Sequence, residues 1–299
     1  MRLNLPIDLR DRTVLLAGAG GGWDVFGAVP LAHELEQRNC RVVLANYSSS
    51  VGGFDVRPAL PTDHPEGKLS ARLGRPVYVF GKEGAGRLRA GYQRLIRDHG
   101  IDAIMLVDGG VDSLMRGDEE GPGTIIQDAV SVSVVNGLDV PTKILACVGF
   151  GAEADEDVCH YRALENMAAL AGDGSFLGAC ALTQGMDAFQ HYKTTCEAVF
   201  EQGGDISHIH TRVIPAVDGE FGQFQRYRHA AVMLLSPRPP FLSPLMSVFW
   251  FFDVAGVARR SLLVDPFAAT ETYADVRAAY DRVRTSLEAN LRPNKDIPL

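Results

Sequence analysis

The stretch Thr13–Pro30, TVLLAGAGGGWDVFGAVP, constrains this chain more than any other. Val14–Ala17 is an apolar run that reads as a buried strand. Gly18, Gly20, Gly21 and Gly22 follow, then Trp23-Asp24, then a helix-like run from Val25 to Arg38. A strand, a glycine-rich turn and a helix in that order bring backbone N–H groups to a helix N-terminus, where the peptide dipoles add partial positive charge. The expectation is a phosphate-bearing ligand held at the end of the first strand by the N–H groups of Gly20–Gly22. Three consecutive glycines cost backbone entropy that one packing glycine does not, which favours ligand contact over a tight crossing alone. Asp24 is placed either as a helix cap, the more frequent use, or on a ligand hydroxyl. The loop matches neither standard nucleotide motif. G-x-G-x-x-G would put its third glycine at Trp23, the acid expected at the end of the second strand is Asn46, and no Gly-Lys-Ser or Gly-Lys-Thr follows. Hydride transfer and nucleoside-triphosphate chemistry of the standard kinds are disfavoured.

Further along, strand-like and helix-like runs alternate. Strands are expected at Arg41–Asn46, Pro76–Phe80, Ile101–Val107, Thr142–Gly149, Cys180–Thr183, Ile206–Val213, Ala231–Leu235, Ser247–Val254 and Arg260–Val264. Helices are expected at Gly86–His99, Thr124–Asn136, Val158–Leu170, Met186–Glu201 and Glu271–Leu291. Pro30 reads as the first turn of regular helix, with Gly27-Ala28-Val29 still loop. Ser48–Arg75, rich in Ser, Gly, Pro and Asp, reads as a long irregular loop. The alternation predicts an α/β fold: a doubly wound, mainly parallel sheet with helices on both faces, as one domain over residues 1–299. The aromatic run Phe249–Phe252 is expected in the core.

Charge and cysteine usage narrow the partners. A formal charge of −8 over 299 residues argues against a nucleic-acid surface. The apolar stretch near Met246–Val257 is too short to span a bilayer, and no signal peptide is apparent. Five scattered cysteines without a C-x-x-C pair fit small buried hydrophobes in the cytoplasm. A homo-oligomer is left open.

Asp108–Gly123, DGGVDSLMRGDEEGPG, is the second glycine-rich segment and the better place for chemistry. Asp108 stands where a strand ends, and ligands of open parallel sheets bind outside the carboxyl ends of strands. Clustered carboxylates there can act as acid and base, hold Mg²⁺ beside phosphates, or bind ribose hydroxyls. Asp108 and Asp112 are the catalytic candidates, with Ser113 as a binding residue; Glu119 is kept from the acidic trio Asp118-Glu119-Glu120. Glu220, in Asp218-Gly219-Glu220, is a further carboxylate that a glycine turn brings to the crevice. His208 and His210, two apart on an expected strand, share one face and could ligate a transition metal, but read better as an exposed pair.

The two loops together, GAGGGWDVFGAVPLA and VDGGVDSLMRGDEEGPGTIIQDA, resemble the domain-of-unknown-function 1152 family of bacterial and archaeal proteins. The likeness rests on two motifs and their spacing, and covers the first half of the chain better than the second. It implies a Rossmann-like fold and a site built from both loops, and supplies no reaction.

The reading that follows is an enzyme acting on a phosphate-bearing, nucleotide-like small molecule. Gly18, Gly20, Gly21, Gly22, Asp24 and Ser113 bind it; Asp108 and Asp112 orient a ribose or activate water; Glu119 or Glu220 donates a proton. Hydrolysis of an N-glycosidic bond fits that set, since carboxylates stabilise its oxocarbenium-like transition state. The rivals are Mg²⁺-assisted phosphoryl chemistry on the same aspartates and a nucleotide-sensing module without turnover.

Overall fold

The computed structural model describes residues 1–49, 51–227 and 240–298. In chain order the elements are β1 (Thr13–Gly18), α1 (Asp24–Glu36), β2 (Arg41–Tyr47), β3 (Val56–Pro58), α2 (Glu66–Leu73), β4 (Val77–Phe80), α3 (Ala85–His99) and β5 (Ala103–Gly109). A single 3₁₀ turn (Asp112–Leu114) leads to α4 (Ile126–Asn136), β6 (Thr142–Val148), α5 (His160–Gly172), β7 (Phe176–Ala181), α6 (Asp187–Phe200) and α7 (His210–Val217). The remainder is a short hairpin, β8 (Gly222–Gln223) with β9 (Phe241–Leu242), then β10 (Val248–Asp253), α8 (Val254–Arg260), α9 (Val264–Phe267) and α10 (Tyr273–Leu287).

Eight strands form one sheet in the order β3-β4-β2-β1-β5-β6-β10-β7. Only β3 and β10 run against the rest, so the sheet is mainly parallel, as expected. Alternation along the central strands divides the apolar side chains between two cores. In β1, Val14 and Leu16 face α1, α6 and α7, while Leu15 and Ala17 face α3, α4 and α5. This two-sided burial explains why β5 reads as a continuous apolar run. The helices leaving β1 and β5 go to opposite faces, α1 to one and α4 to the other. A crevice therefore opens between the carboxyl ends of β1 and β5, the topological switch point of the sheet.

Several expectations are corrected. Pro30 lies inside α1, which starts at Asp24, so Gly27-Ala28-Val29 is helix rather than loop. Gly27 is needed there for close approach: a Cβ would stand 3.1 Å from Val107 Cγ1 on β5. Ser48–Arg75 contains β3 and α2. Ile206–Val213 is not a strand but a turn leading into α7, whose eight residues are all buried; burial from every side overrides the β-branched composition. Arg260–Val264 is the end of α8 and the start of α9, because Asp253 closes β10 and caps α8 by accepting from the Ala255 N–H. The strand expected at Ala231–Leu235 lies outside the described residues. The aromatic run is core: Phe249, Phe251 and Phe252 are fully buried in the strand that joins β6 to β7.

Phe251→Ala should therefore lower stability by about 3–5 kcal/mol in denaturant unfolding. A loss below about 1 kcal/mol would contradict the placing of Phe251 in the closed core on its face of β10.

Candidate functional site

At the switch point five segments converge on one small cavity of about 190 Å³. The loop after β1 supplies Gly20, Gly21, Trp23 and Asp24; the end of β5 and the 3₁₀ turn after it supply Asp108, Gly109 and Asp112. Thr124 and Asp128 come from the approach to α4 and its first turn, and Glu153 and Glu156 from the loop after β6. Ser207, His208 and Ile209, from the turn before α7, complete the wall. Six lining side chains are carboxylates and none is Lys or Arg. One oxygen from each of Asp24, Asp108 and Asp128 lies within 4.8 Å of the other two. Two wider clefts, about 490 and 670 Å³, lie along the N-terminal segment and under the C-terminal tail. Among the described residues, neither of them gathers three such groups at ligand distance.

Local structure explains each placement. The Asp24 carboxylate accepts from the Gly20 N–H at 2.5 Å and the Gly109 N–H at 3.3 Å, so it ties the two glycine loops together. Asp108 accepts from the backbone and hydroxyl of Ser113, and Asp112 from the Thr124 N–H and hydroxyl at 2.8 and 2.9 Å. The Glu153 carboxylate accepts from the Val111 N–H at 2.6 Å. Asp128 is 2% exposed, and its Oδ1 is buried with no hydrogen-bond partner among the described residues. The glycines make room for these groups. A Cβ at Gly20 would lie 2.6 Å from Asp128 Oδ2, and one at Gly110 2.2 Å from Glu153 Cδ.

The electrostatic cost is visible in the proton equilibria. Burial, then the Asp112 charge, pushes Asp24 up to about 7. Burial likewise raises Asp112 to about 6. Asp108, Asp128 and Glu153 are all driven well above the carboxylate range, by burial first and by the Asp112 charge second.

Of the residues singled out in the sequence, Gly20, Gly21, Asp24, Asp108 and Asp112 line the cavity. Gly18 and Gly22 do not; they belong to the strand-to-helix crossing, where Asn46 donates to the Gly22 carbonyl at 2.8 Å and to Glu66 at 2.7 Å. The Gly20 N–H, expected to hold a phosphate, is engaged by the chain's own Asp24. Ser113 stands behind Asp108 rather than in the wall. Glu119 is brought elsewhere. It is fully buried and accepts from the N–H groups of Arg116 and Gly117, from Asn166 at 3.0 Å and from the Arg292 guanidinium, which fastens the loop after β5 to the C-terminal tail. Glu220 follows α7 and faces Arg226 at 3.7 Å, away from the cavity. His208 and His210 do not share a strand face. His208 lines the cavity, while His210 is buried between Tyr192 Oη, 2.7 Å from Nδ1, and the Trp23 carbonyl, 2.9 Å from Nε2.

Asp128, Glu153, Glu156 and Thr124 went unnoticed in the sequence. Asp128 had a signal: it falls three residues after Ile125 and four before Val132, on the apolar stripe of its helix, where a carboxylate needs a reason. Glu153 and Glu156 follow β6 directly, so the strand-end rule that picked out Asp108 also reaches them.

Raised carboxylates stabilise the fold only while they keep their protons. The Asp24 contribution is complete below its unfolded value near 4 and is lost as pH rises through about 7. In EDTA, Asp24→Asn should therefore gain stability relative to the wild type as pH goes from 5 to 8, by at least about 1 kcal/mol. The paired comparison cancels the opposite trend of the buried His160 and His210, both pushed down to about 4. A gap independent of pH would contradict a strained Asp24.

The family model described as "Protein of unknown function (DUF1152)" matches residues 56–294. The match starts after the first glycine loop and runs through the second half of the chain, further than the two motifs alone suggest. No curated protein and no solved structure matches the chain. No helix among the described residues is long and apolar enough to cross a membrane. The chain belongs to the DUF1152 family.

Proposed function

We propose that this protein is a divalent-cation-dependent hydrolase acting on a small phosphate-bearing molecule. The observation that carries the reading is the Asp24–Asp108–Asp128 cluster, three carboxylate oxygens within 4.8 Å, with Asp128 Oδ1 unpartnered and no cationic side chain in the wall. Hard oxygen donors of this kind suit Mg²⁺, Mn²⁺ or Ca²⁺. The wall offers an anionic ligand acidic side chains and no Lys or Arg, so the cation is what makes such a ligand acceptable here. A bound cation would neutralise charge on the phosphate and orient it. A cavity of about 190 Å³ admits a cation and a phosphate group and leaves the rest of a nucleotide-like ligand outside it. Five free cysteines, four of them buried, suit a reducing compartment, and we place the reaction in the cytoplasm.

Hydrolysis of an N-glycosidic bond is the second reading. It draws on Glu156, which lines the cavity and is held above its usual range by burial and then by the charge of Asp155, as a proton donor to a leaving base needs.

Calorimetry with Mg²⁺ and Mn²⁺, followed by turnover screens on phosphate esters and nucleosides, tests both. A 1:1 cation site should appear, with affinity falling at least about tenfold in Asp128→Asn and unchanged in Glu220→Gln. Absence of binding at millimolar cation would remove the proposal. Cation and nucleotide bound together without turnover would favour a sensing module.

A further inference from the structure

Of the histidines with a buried, unpartnered ring nitrogen among the described residues, namely His64, His160 and His208, only His208 lines the acidic cavity. Its ring is not part of the three-carboxylate cluster, so it stands in the wall without being one of the grouped ligand atoms. The turn that carries it is fixed from both sides. Ser207 Oγ accepts from the His210 N–H at 3.0 Å, and Thr211 Oγ1 donates to the His208 carbonyl at 2.8 Å. One helical turn on, Arg212 is 2% exposed and grips Asp155 with two nitrogens, at 2.5 and 2.6 Å. It also donates to the Ala152 carbonyl. That clamp sets the His208 turn in register with the loop bearing Glu153 and Glu156.

The other groups of the wall have tasks already. Asp24, Asp108 and Asp128 form the cluster, Asp112 accepts twice from Thr124, and Glu153 accepts from Val111. His208 and Glu156 are left to exchange protons with a ligand.

We propose that His208 is the proton-exchanging residue of this site, its imidazole taking a proton from a water in the cavity and passing one to the leaving group. The inference rests on the hydrolase reading. In the step, an O–H bond of water breaks as an imidazole N–H bond forms. The water oxygen bonds to the electrophilic atom of the substrate, whose bond to the leaving group breaks with its electron pair. The imidazolium then gives its proton to that leaving group, so the net change is addition of one water and His208 ends as it began. Starting neutral suits this order, and burial, then the Arg212 charge, holds the imidazole below its usual value, against the opposing charges of Asp155 and Asp205. The other ionisable groups that share its cavity are Asp24, Asp108, Asp112, Asp128, Glu153 and Glu156.

The test is nuclear magnetic resonance of ¹⁵N-histidine protein, with the His208 signal assigned by its loss in His208→Gln, titrated with pH with and without saturating Mg²⁺. Mg²⁺ in the cluster, with the protons it displaces there, should move the His208 midpoint by about half a pH unit or more through the change in nearby charge. His33 and His99 should not respond, and Asp128→Asn should abolish the effect. Hydrolysis of p-nitrophenyl phosphate with Mn²⁺ should fall at least about 100-fold in His208→Gln, while calorimetric Mg²⁺ affinity stays within about twofold. If Mg²⁺ binds and the His208 midpoint stays put, or if His208→Gln hydrolyses at the wild-type rate, the role of His208 is overturned and the cation site stands. If calorimetry finds no cation binding, the hydrolase reading falls and takes this step with it.

Discussion

Repulsion among buried carboxylates is the constraint to which the rest of this structure answers. At an effective dielectric of about 20, two unit charges about 5 Å apart repel by roughly 3 kcal/mol. Asp24, Asp108 and Asp128 stand within 4.8 Å of one another, with Asp112, Glu153 and Glu156 around the same cavity. A fold optimised for stability alone would not assemble them. Two responses relieve the strain, retention of protons at neutral pH and capture of a cation. The raised proton affinities of the cluster are the mark of the first, and the unpartnered Asp128 oxygen is the group that the proposed cation would answer.

This recasts the glycines. Read along the chain, they suggest a cradle of N–H groups for phosphate. In space they stand against carboxylates: Gly20 beside Asp128, Gly109 beside Asp24, Gly110 beside Glu153 and Gly123 beside Asp112. A Cβ at any of the four would come within about 3 Å of its neighbour, so the missing side chains leave the volume the acidic groups occupy. The first loop is thus half of an acidic site, its anion-binding N–H already answered by Asp24.

Periodicity and strand-end logic located the sheet, both loops, Asp24, Asp108 and Asp112, because each leaves a mark within a few residues of itself. What escaped depends on distant partners. Glu119 looks like its neighbours Asp118 and Glu120, and nothing local announces the Arg292 guanidinium 173 residues on. Asp128 was lost inside a helix read for its apolar residues. The segment around His208 has the composition of a strand, yet it is a turn leading into α7, whose residues are all buried. Arg292 and Arg212 act alike here, each fastening a loop after a central strand to a remote part of the chain. Such clamps hold the acidic walls together, and they are invisible to any short window.

The most direct measurement is anomalous scattering from a crystal grown with Mn²⁺. A single strong peak between the carboxylates of Asp24, Asp108 and Asp128, at roughly 2.1–2.3 Å from an oxygen of each as expected for a hard divalent cation, is the result this account predicts. Full Mn²⁺ exposure with no peak in that cavity, or a peak only elsewhere on the molecule, would contradict it.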